Sequence, residues 1–579
     1  MSRTPRSVGS LAGPRFVPNK WDVIAFPLIF GLLVVLGLTA RQMAEPLSAV
    51  TAAPISLDPA ALPGYALRTT LRMLAALACS LLFTFTIATW AAKSRRAEKV
   101  IVPVLDILQS VPILGYISFT VVFFMSLFPG SALGAECAAV FAIFTSQAWN
   151  MAFSFYQSLK TLPRDLVEVS RGFRLTAWQR FWTLEVPFGM PGLVWNMMMS
   201  MSGGWFFVVA SESISVGDTT LALPGVGSYV AAAIAQRDLG AVAWAILAML
   251  VVILLYDQLL FRPLVAWSEK FRVELTPSQT KSESWVLDLV ARSRLLNTAL
   301  GPIGDTLAVV AKLPWRLQRG RPPAPSALMA EGGWIDRIWD VILVVLAAAA
   351  AWQVALFIAT EIDLGELGAV LMKGFATLAR VVVLIALATV VWVPAGVWIG
   401  LRPAWAEKVQ PVAQFMAAFP ANLVFPVAVV AIVHWKLDPD IWLAPLMILG
   451  TQWYILFNVI AGVAVFPTDL REAAAHFQLG GWTWWRKVML PGIFPYYVTG
   501  AITASGGSWN AAIVAEVASW GDDKLTAYGL GAYIAEATDA GDFPRIVLGI
   551  AVMSIFVILF NRLLWRPLLN FAERRLRLD

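Results

Sequence analysis

The sequence predicts an all-α polytopic membrane protein made of two parallel six-helix repeats, and three observations carry that prediction. The first is composition: of 579 residues, 59% are hydrophobic and 14% charged, with a mean hydropathy of +0.72. A soluble chain carries about 25% charged residues, so this one cannot cover a water-facing surface without large apolar patches. That excludes an ordinary soluble enzyme, a disordered scaffold and a disulfide miniprotein. The second is a set of twelve apolar runs, near 22–40, 66–92, 103–127, 131–156, 189–212, 239–261, 335–358, 372–400, 411–434, 441–465, 493–515 and 544–564. Each approaches or exceeds the roughly 20 residues a helix needs to cross a bilayer. The third is an internal register. At a shift of 304 positions, Glu168 falls on Glu472, Phe173 on Phe477, Trp205 on Trp509, Glu212 on Glu516, and Gly225 and Gly227 on Gly529 and Gly531. An upstream block aligns at 308, pairing Thr69 with Thr377 and Arg72 with Arg380. An even number of spans per repeat gives both repeats the same orientation.

Taken in order, the chain divides into an N-terminal tail (1–20), a first half (21–264), a linker (265–332), a second half (333–571) and a short C-terminal tail (572–579). The first apolar run follows Arg3, Arg6, Arg15 and Lys20 but is too long for a signal peptide, and Arg41 follows it. It is therefore expected to be a retained span. Basic residues concentrate in alternate connections: the N-terminus, Lys93–Lys99, Lys160–Arg180 and the linker. By the excess of Lys and Arg in cytoplasmic loops, both termini lie inside. The net charge of +6 is a topology signal; no basic stripe with interleaved aromatics points to nucleic acid. Within the proline-bearing linker, Trp285, Leu289, Val290 and Leu296 fall near helical spacing, as in a helix lying on the inner leaflet or in a solvated connection. Cys79 and Cys137 sit in apolar runs and read as buried thiols, and two histidines, His434 and His476, make no metal cluster.

The best-matched element between the halves is a polar loop. It reads LPRDLVEVSRGFRLTAWQRFWTLEVP over 162–187 and FPTDLREAAAHFQLGGWTWWRKVMLP over 466–491. Each opens on Pro-x-Asp, a helix start with the acid near the positive end of the dipole. A short helix, a break and a second helix re-entering the membrane are expected. These loops resemble the EAA motif of permease subunits of ATP-binding-cassette importers: Glu472-Ala473-Ala474 with Leu490-Pro491 match at the family spacing, and Glu168-Val169-Ser170 with Val186-Pro187 match loosely. Arg174 and Gln478 stand where the motif has glycine. The segments LQSVPILGYISF, SQAWNMAFSFYQSL and SMSGGWFFVVASESIS are most similar to duplicated permeases grouped with nitrate, sulfonate and taurine importers.

The resemblance implies the fold of a type I importer permease in a bacterial inner membrane. It also implies two ATPase subunits docking on the loops and an extracytoplasmic solute-binding protein delivering substrate. In that family the loop's acidic residue anchors it in a groove of the ATPase, a role that passes here to Glu168 and Glu472. Arg174, Leu175, His476, Gln478 and Leu479 would stand at the contact. The chain has no G-x-x-x-x-G-K-[ST], so it carries no phosphate-cradling loop; ATP and magnesium belong to the partner subunits and no cofactor is expected on this chain.

Ionisable groups within spans are costly and face a protein interior or a polar path. Arg72 and Arg380 allow two readings: a pair of guanidiniums at the outer mouth binding an anion bidentately, or arginines paired to carboxylates such as Glu212 and Glu516. Glu212 and Glu516 follow Gly203-Gly204-Trp205 and Gly507-Ser508-Trp509, small-residue segments that let helices approach and form a gate between the halves. The sequence thus reads as a fused permease for a small anionic solute. A twelve-span secondary transporter has the same repeat symmetry, but lacks matched loops between the fourth and fifth spans. A membrane enzyme would need a nucleophile or metal ligands, and Asp522, Asp523 and Asp539 supply neither.

Overall fold

The computed structural model describes residues 21–43, 46, 54–111, 113–216, 219–271, 284–314 and 334–576. The expected N-terminal tail, two stretches of the linker and the last three residues lie outside them. Among the described residues, five helices are long and apolar enough to cross a membrane, or up to eight if each bent pair is one span. The chain resolves into two compact units. One gathers Met1–Leu38, Leu162–Pro191 and Asp257–Arg321; the other holds Thr39–Thr161, Gly192–Tyr256 and Pro322–Asp579. The first polar loop therefore groups with the N-terminal helix and the linker, apart from the rest of its own half.

In chain order, α1 (Asp22–Gln42) is followed by α2 (Leu62–Phe83), α3 (Arg95–Ser110), α4 (Ile117–Leu127) and α5 (Leu133–Lys160). The first polar loop contributes α6 (Arg164–Gly172) and α7 (Ala177–Arg180), which runs on into α8 (Val186–Glu212). A hairpin of β1 (Ser213–Val216) and β2 (Thr219–Ala222), α9 (Val226–Ala235), α10 (Leu239–Tyr256) and α11 (Arg262–Ser268) complete the first repeat. The linker holds α12 (Trp285–Arg292) and α13 (Arg294–Lys312).

The second repeat begins with α14 (Trp334–Glu361), α15 (Leu364–Gly400), α16 (Pro403–Ala418) and α17 (Phe425–His434), then two short turns of helix, α18 (Pro439–Trp442) and α19 (Ala444–Ile448). After α20 (Trp453–Ala464) come the loop helices α21 (Thr468–His476) and α22 (Gly481–Trp484) and the long α23 (Leu490–Ala515). Strands β3 (Val517–Trp520) and β4 (Asp523–Thr526), then α24 (Leu530–Asp539), α25 (Phe543–Phe560) and α26 (Arg566–Arg575) close the chain.

The repeat is visible down to irregularities. Single π-helical turns interrupt the helices at Phe181–Glu185 and Trp485–Met489, and again at Asp257–Phe261 and Asn561–Trp565. Both pairs stand 304 positions apart, the register read from the sequence. A π turn adds one residue to the ladder and re-aims every side chain beyond it, so a matched π turn is a matched geometry.

Two expectations are corrected and two are refined. The fold is not purely helical, because two antiparallel hairpins follow α8 and α23, pairing Ser213 with Ala222 and Val517 with Thr526. Some expected spans are broken: α16 and the helix from Ala421 to His434 meet at 72°, and Pro439–Ile448 meets Trp453–Ala464 at 41°. Pro420 and Gly450 stand at or near these bends, where a helix loses its ladder or packing volume. Cys79 is exposed and Cys137 only partly covered; Cys79 shares an outward face of α2 with Ala75, Ala78 and Leu82, a face suited to lipid. In the linker, Trp285, Leu289 and Val290 fall on α12 and Leu296 on α13, which runs on to Lys312.

Candidate functional site

Three features of the repeats are candidates for function. The first is a buried ion cluster in each half. In the first, the Arg72 guanidinium donates from Nε and Nη2 to both Glu136 oxygens and from Nη1 to Glu212 Oε1, all at 2.6 Å. Thr69 Oγ1 also donates to Glu212 Oε1, and the Gly227 amide donates to Glu212 Oε2 at 2.6 Å. Arg72 and Glu212 are fully buried and Glu136 nearly so. A charge so enclosed persists only when paired and hydrogen-bonded, and every partner here is supplied by another element.

The second half repeats the pattern more openly. Arg380 Nη1 donates to Glu516 at 3.1 Å and Nη2 to Asp440 at 2.8 Å; Thr377 donates to Glu516 at 2.8 Å, and the Ala532 amide at 3.1 Å. Asp440 is half exposed, so water reaches this cluster. Glu136 and Asp440 were missed from sequence, although the 304 register places one on the other.

The paired glycines explain themselves at this site. A Cβ on Gly225 or Gly529 would run into the Glu212 or Glu516 carboxylate, and one on Gly227 or Gly531 into the carbonyl of Val209 or Ala512. The G-x-G turn is thus cut to let a carboxylate receive the amides that open α9 and α24. Arg72, Arg380, Glu212 and Glu516 come together in these clusters; none of them lines the cavity described next.

The second feature is a cavity of about 460 Å³ walled by both repeats. The first supplies Ser146, Trp149, Asn150 and Gly203, and the second Thr451, Tyr454, Gly506, Gly507, Trp509 and Asn510. Bonds between the halves frame it: the Ile113 amide donates to Asn510 Oδ1 at 2.9 Å and Asn422 Nδ2 to the Phe206 carbonyl at 3.1 Å. Among the described residues its lining includes no carboxylate, and Arg566 is the one charged residue in it. Trp509 lines this space, whereas Trp205 packs edge-on against Tyr256 at 5.3 Å, away from the lining.

The third feature is the pair of polar loops. Each has a nine-residue helix starting after a proline, Pro163 or Pro467, and ending in the same turn. Leu175 N donates to Ser170 O and Leu479 N to Ala474 O, across Arg174 and Gln478, which hold φ of 52° and 51°. The motif's missing glycine is therefore replaced in kind: the left-handed position is kept with a side chain on it, at roughly 1–2 kcal/mol each. Ser170 and Ala474 are buried, while Glu168, Glu472, His476 and Gln478 are exposed, with Leu175 and Leu479 half-buried. At the tips Phe173 is 75% and Phe477 78% exposed. Neither phenylalanine was singled out from sequence, although their match in the repeat was the available signal.

Just before the first loop, Lys160 at the end of α5 donates to Glu98 on α3 at 2.7 Å. Burial pushes the Glu98 carboxyl up, but Lys160, the Tyr156 hydroxyl and Arg95 outweigh it and hold it below its ordinary range. No group of three or more metal-ligating side chains occurs among the described residues.

Two copies of one helical unit, sharing a cavity and each bearing a protruding loop with the same irregular turn, define a duplicated membrane transport component. The family model for the binding-protein-dependent transport system inner membrane component matches twice, over residues 84–261 and 392–566. The chain belongs to that family.

Relatives include the nitrate import permease protein NrtB of Leptolyngbya laminosa, 27% identical over 188 residues, 32% of this chain and 64% of that protein. The bicarbonate transport system permease protein CmpB of Synechocystis sp. is 28% identical over the same shares. The glycine betaine/carnitine transport permease protein GbuB of Listeria monocytogenes is 25% identical over 247 residues, 42% of this chain and 72% of that one. The chain thus spans just under two thirds of the length of the first two.

Proposed function

We propose that this chain forms, from twelve spans with both termini cytoplasmic, the translocation path for a small anion, driven by two separate ATPase subunits that hold the ATP and magnesium. An extracytoplasmic binding protein would deliver the solute at the end opposite the loops. The observation that carries the anion reading is the cavity: both repeats build it, its walls offer amides and hydroxyls, and among the described residues no carboxylate lines it. Relatives named for nitrate and bicarbonate import support it. A second reading, a zwitterionic quaternary ammonium solute, draws on the aromatic walls Trp149, Tyr454 and Trp509 and on the betaine relative.

In this account Arg72 and Arg380 are braces, since their guanidiniums are taken up by carboxylates. Glu168, Phe173, Arg174 and Leu175, with Glu472, His476, Phe477, Gln478 and Leu479, make the contact with the ATPases. The exposed phenylalanine at each tip supplies the apolar anchor such an interface needs.

Uptake of labelled nitrate into vesicles bearing the assembled importer, challenged with unlabelled bicarbonate or glycine betaine, tests the substrate class. Bicarbonate should compete and glycine betaine should not; the reverse pattern assigns the path to betaines. A plug tests the path itself. A Cβ on Gly506 meets nothing within 4 Å, so Gly506→Trp should leave the protein folded and ATPase binding unchanged while uptake falls to background. Uptake at the wild-type rate would place the path elsewhere.

A further inference from the structure

The linker helix α13 is held at both ends. At its start, the buried Asp22 carboxylate accepts from the Ser293 hydroxyl at 2.6 Å and the Leu295 amide at 2.9 Å, joining α13 to the first residue of α1. Ala25, Leu289 and Leu296 seal the junction with Trp21, Ile29 and Val290 packed around them. At its far end, Trp178 Nε1 donates to the Val310 carbonyl at 2.8 Å and Gln179 Nε2 to the Lys312 carbonyl at 2.7 Å. These are last-turn carbonyls, beyond the reach of the i+4 ladder; Val310 also accepts the Leu313 amide at 3.2 Å. The same Gln179 amide closes the capping box of Thr176, so one side chain serves both the polar loop and the linker. Among the described residues the second loop shows no equivalent grip: Thr483 stands in place of Gln179, and Trp482 is 73% exposed.

Both anchors are the first turns of apolar helices that enter the membrane: α1 at Asp22 and the α7–α8 helix at Ala177. Nineteen residues between them span about 28 Å at helical rise. A helix tied at each end to the membrane-surface end of a span runs along the surface. Beyond Pro302 it is bare, with Leu307, Val309, Val310 and Leu313 between 40% and 65% exposed. Basic residues flank it, Arg292 and Arg294 at the start and Lys312 at the end.

We propose that α13 docks on the bilayer, its apolar side chains among the acyl chains just below the headgroups and its basic ends on anionic lipid phosphates, and so holds the first ATPase-contacting loop at a fixed depth. Lipid is the occupant that fits, because an apolar helix with cationic ends, tethered at the membrane surface, matches an anionic leaflet in both hydrophobicity and charge. The inference rests on the reading of the chain as a membrane permease and adds a lipid partner that the transport reading does not require.

The test uses the full chain with Cys79→Ala and Cys137→Ala, and a fluorescent label on Leu307→Cys, Val310→Cys, which lies three residues on and on the same face, or, as the polar-face control, Asp305→Cys. The protein is reconstituted without ATPase into vesicles of phosphatidylethanolamine and phosphatidylglycerol. Acyl-chain-brominated lipid should remove most of the fluorescence at 307 and 310 and little at 305, and replacing phosphatidylglycerol by phosphatidylcholine should weaken that quenching. Quenching at 307 and 310 by aqueous iodide instead, or protection from iodide that arises only when ATPase subunits are added, overturns the proposal. Because nothing is transported in this measurement, its failure leaves the transport reading standing, and a failure of transport leaves this result readable.

Discussion

Arg72→Met is expected to destabilise the protein by about 3–5 kcal/mol, the cost of leaving buried carboxylates without their counter-charge. Two carboxylates, Glu136 and Glu212, share that guanidinium, and neither has access to water. Arg380→Met should cost clearly less, because Asp440 is half exposed and can be hydrated when its partner is lost. Denaturant or thermal unfolding of the purified variants in detergent measures both. Adding Glu136→Gln and Glu212→Gln to Arg72→Met should recover most of the loss, since a neutral amide leaves no unpaired charge. Equal effects of the two arginine variants, or no recovery, would mean that the clusters do not hold the fold together as described. A selective loss of apparent solute affinity in Arg72→Gln, with stability intact, would return this arginine to the translocation path.

The second large effect belongs to the polar loops. Phe173 and Phe477 are almost bare, so Phe173→Asp with Phe477→Asp should leave folding unchanged while abolishing association with the ATPases. Anchor residues at interface centres are worth about 2 kcal/mol or more each, roughly thirtyfold in affinity per site. Co-purification of the complex and solute-stimulated ATP hydrolysis report the two stages. Glu168→Arg with Glu472→Arg should also uncouple hydrolysis from uptake, because the acids sit on the same exposed helices. Normal co-purification and transport in both double variants would remove these loops from the coupling contact.

Much of this was legible in the sequence because the duplication acts as an internal control. The pairing of Glu168 with Glu472 and of Gly225 and Gly227 with Gly529 and Gly531 marks positions held by a shared geometry, and the structure supplies it: a left-handed turn in one case, a carboxylate cradle in the other. The arginine–glutamate pairing was one of two readings, and only burial and distance decide between them. What stayed hidden had physical causes. Glu136 and Asp440 lie far along the chain from their arginines and differ in length, so no local pattern links them.

The hairpins are four residues per strand, too short for a period-two signal to stand out beside a helix end. In the linker, α13 passes through Gly301, Pro302 and Gly304, held by caps at both ends that no helical propensity scale contains. Cys79 showed its apolar run but not its face, because a lipid-facing helix is apolar all round.

The central claim is that this chain moves its solute only when separate ATPases act on it. Proteoliposomes containing the chain with its ATPase subunits and binding protein, loaded with ATP and magnesium on the side of the ATPases, measure this directly. Labelled nitrate should accumulate with ATP inside, and should stop when ATP, the ATPases or the binding protein is left out. Accumulation driven by an ion gradient across vesicles that hold this chain alone would contradict it.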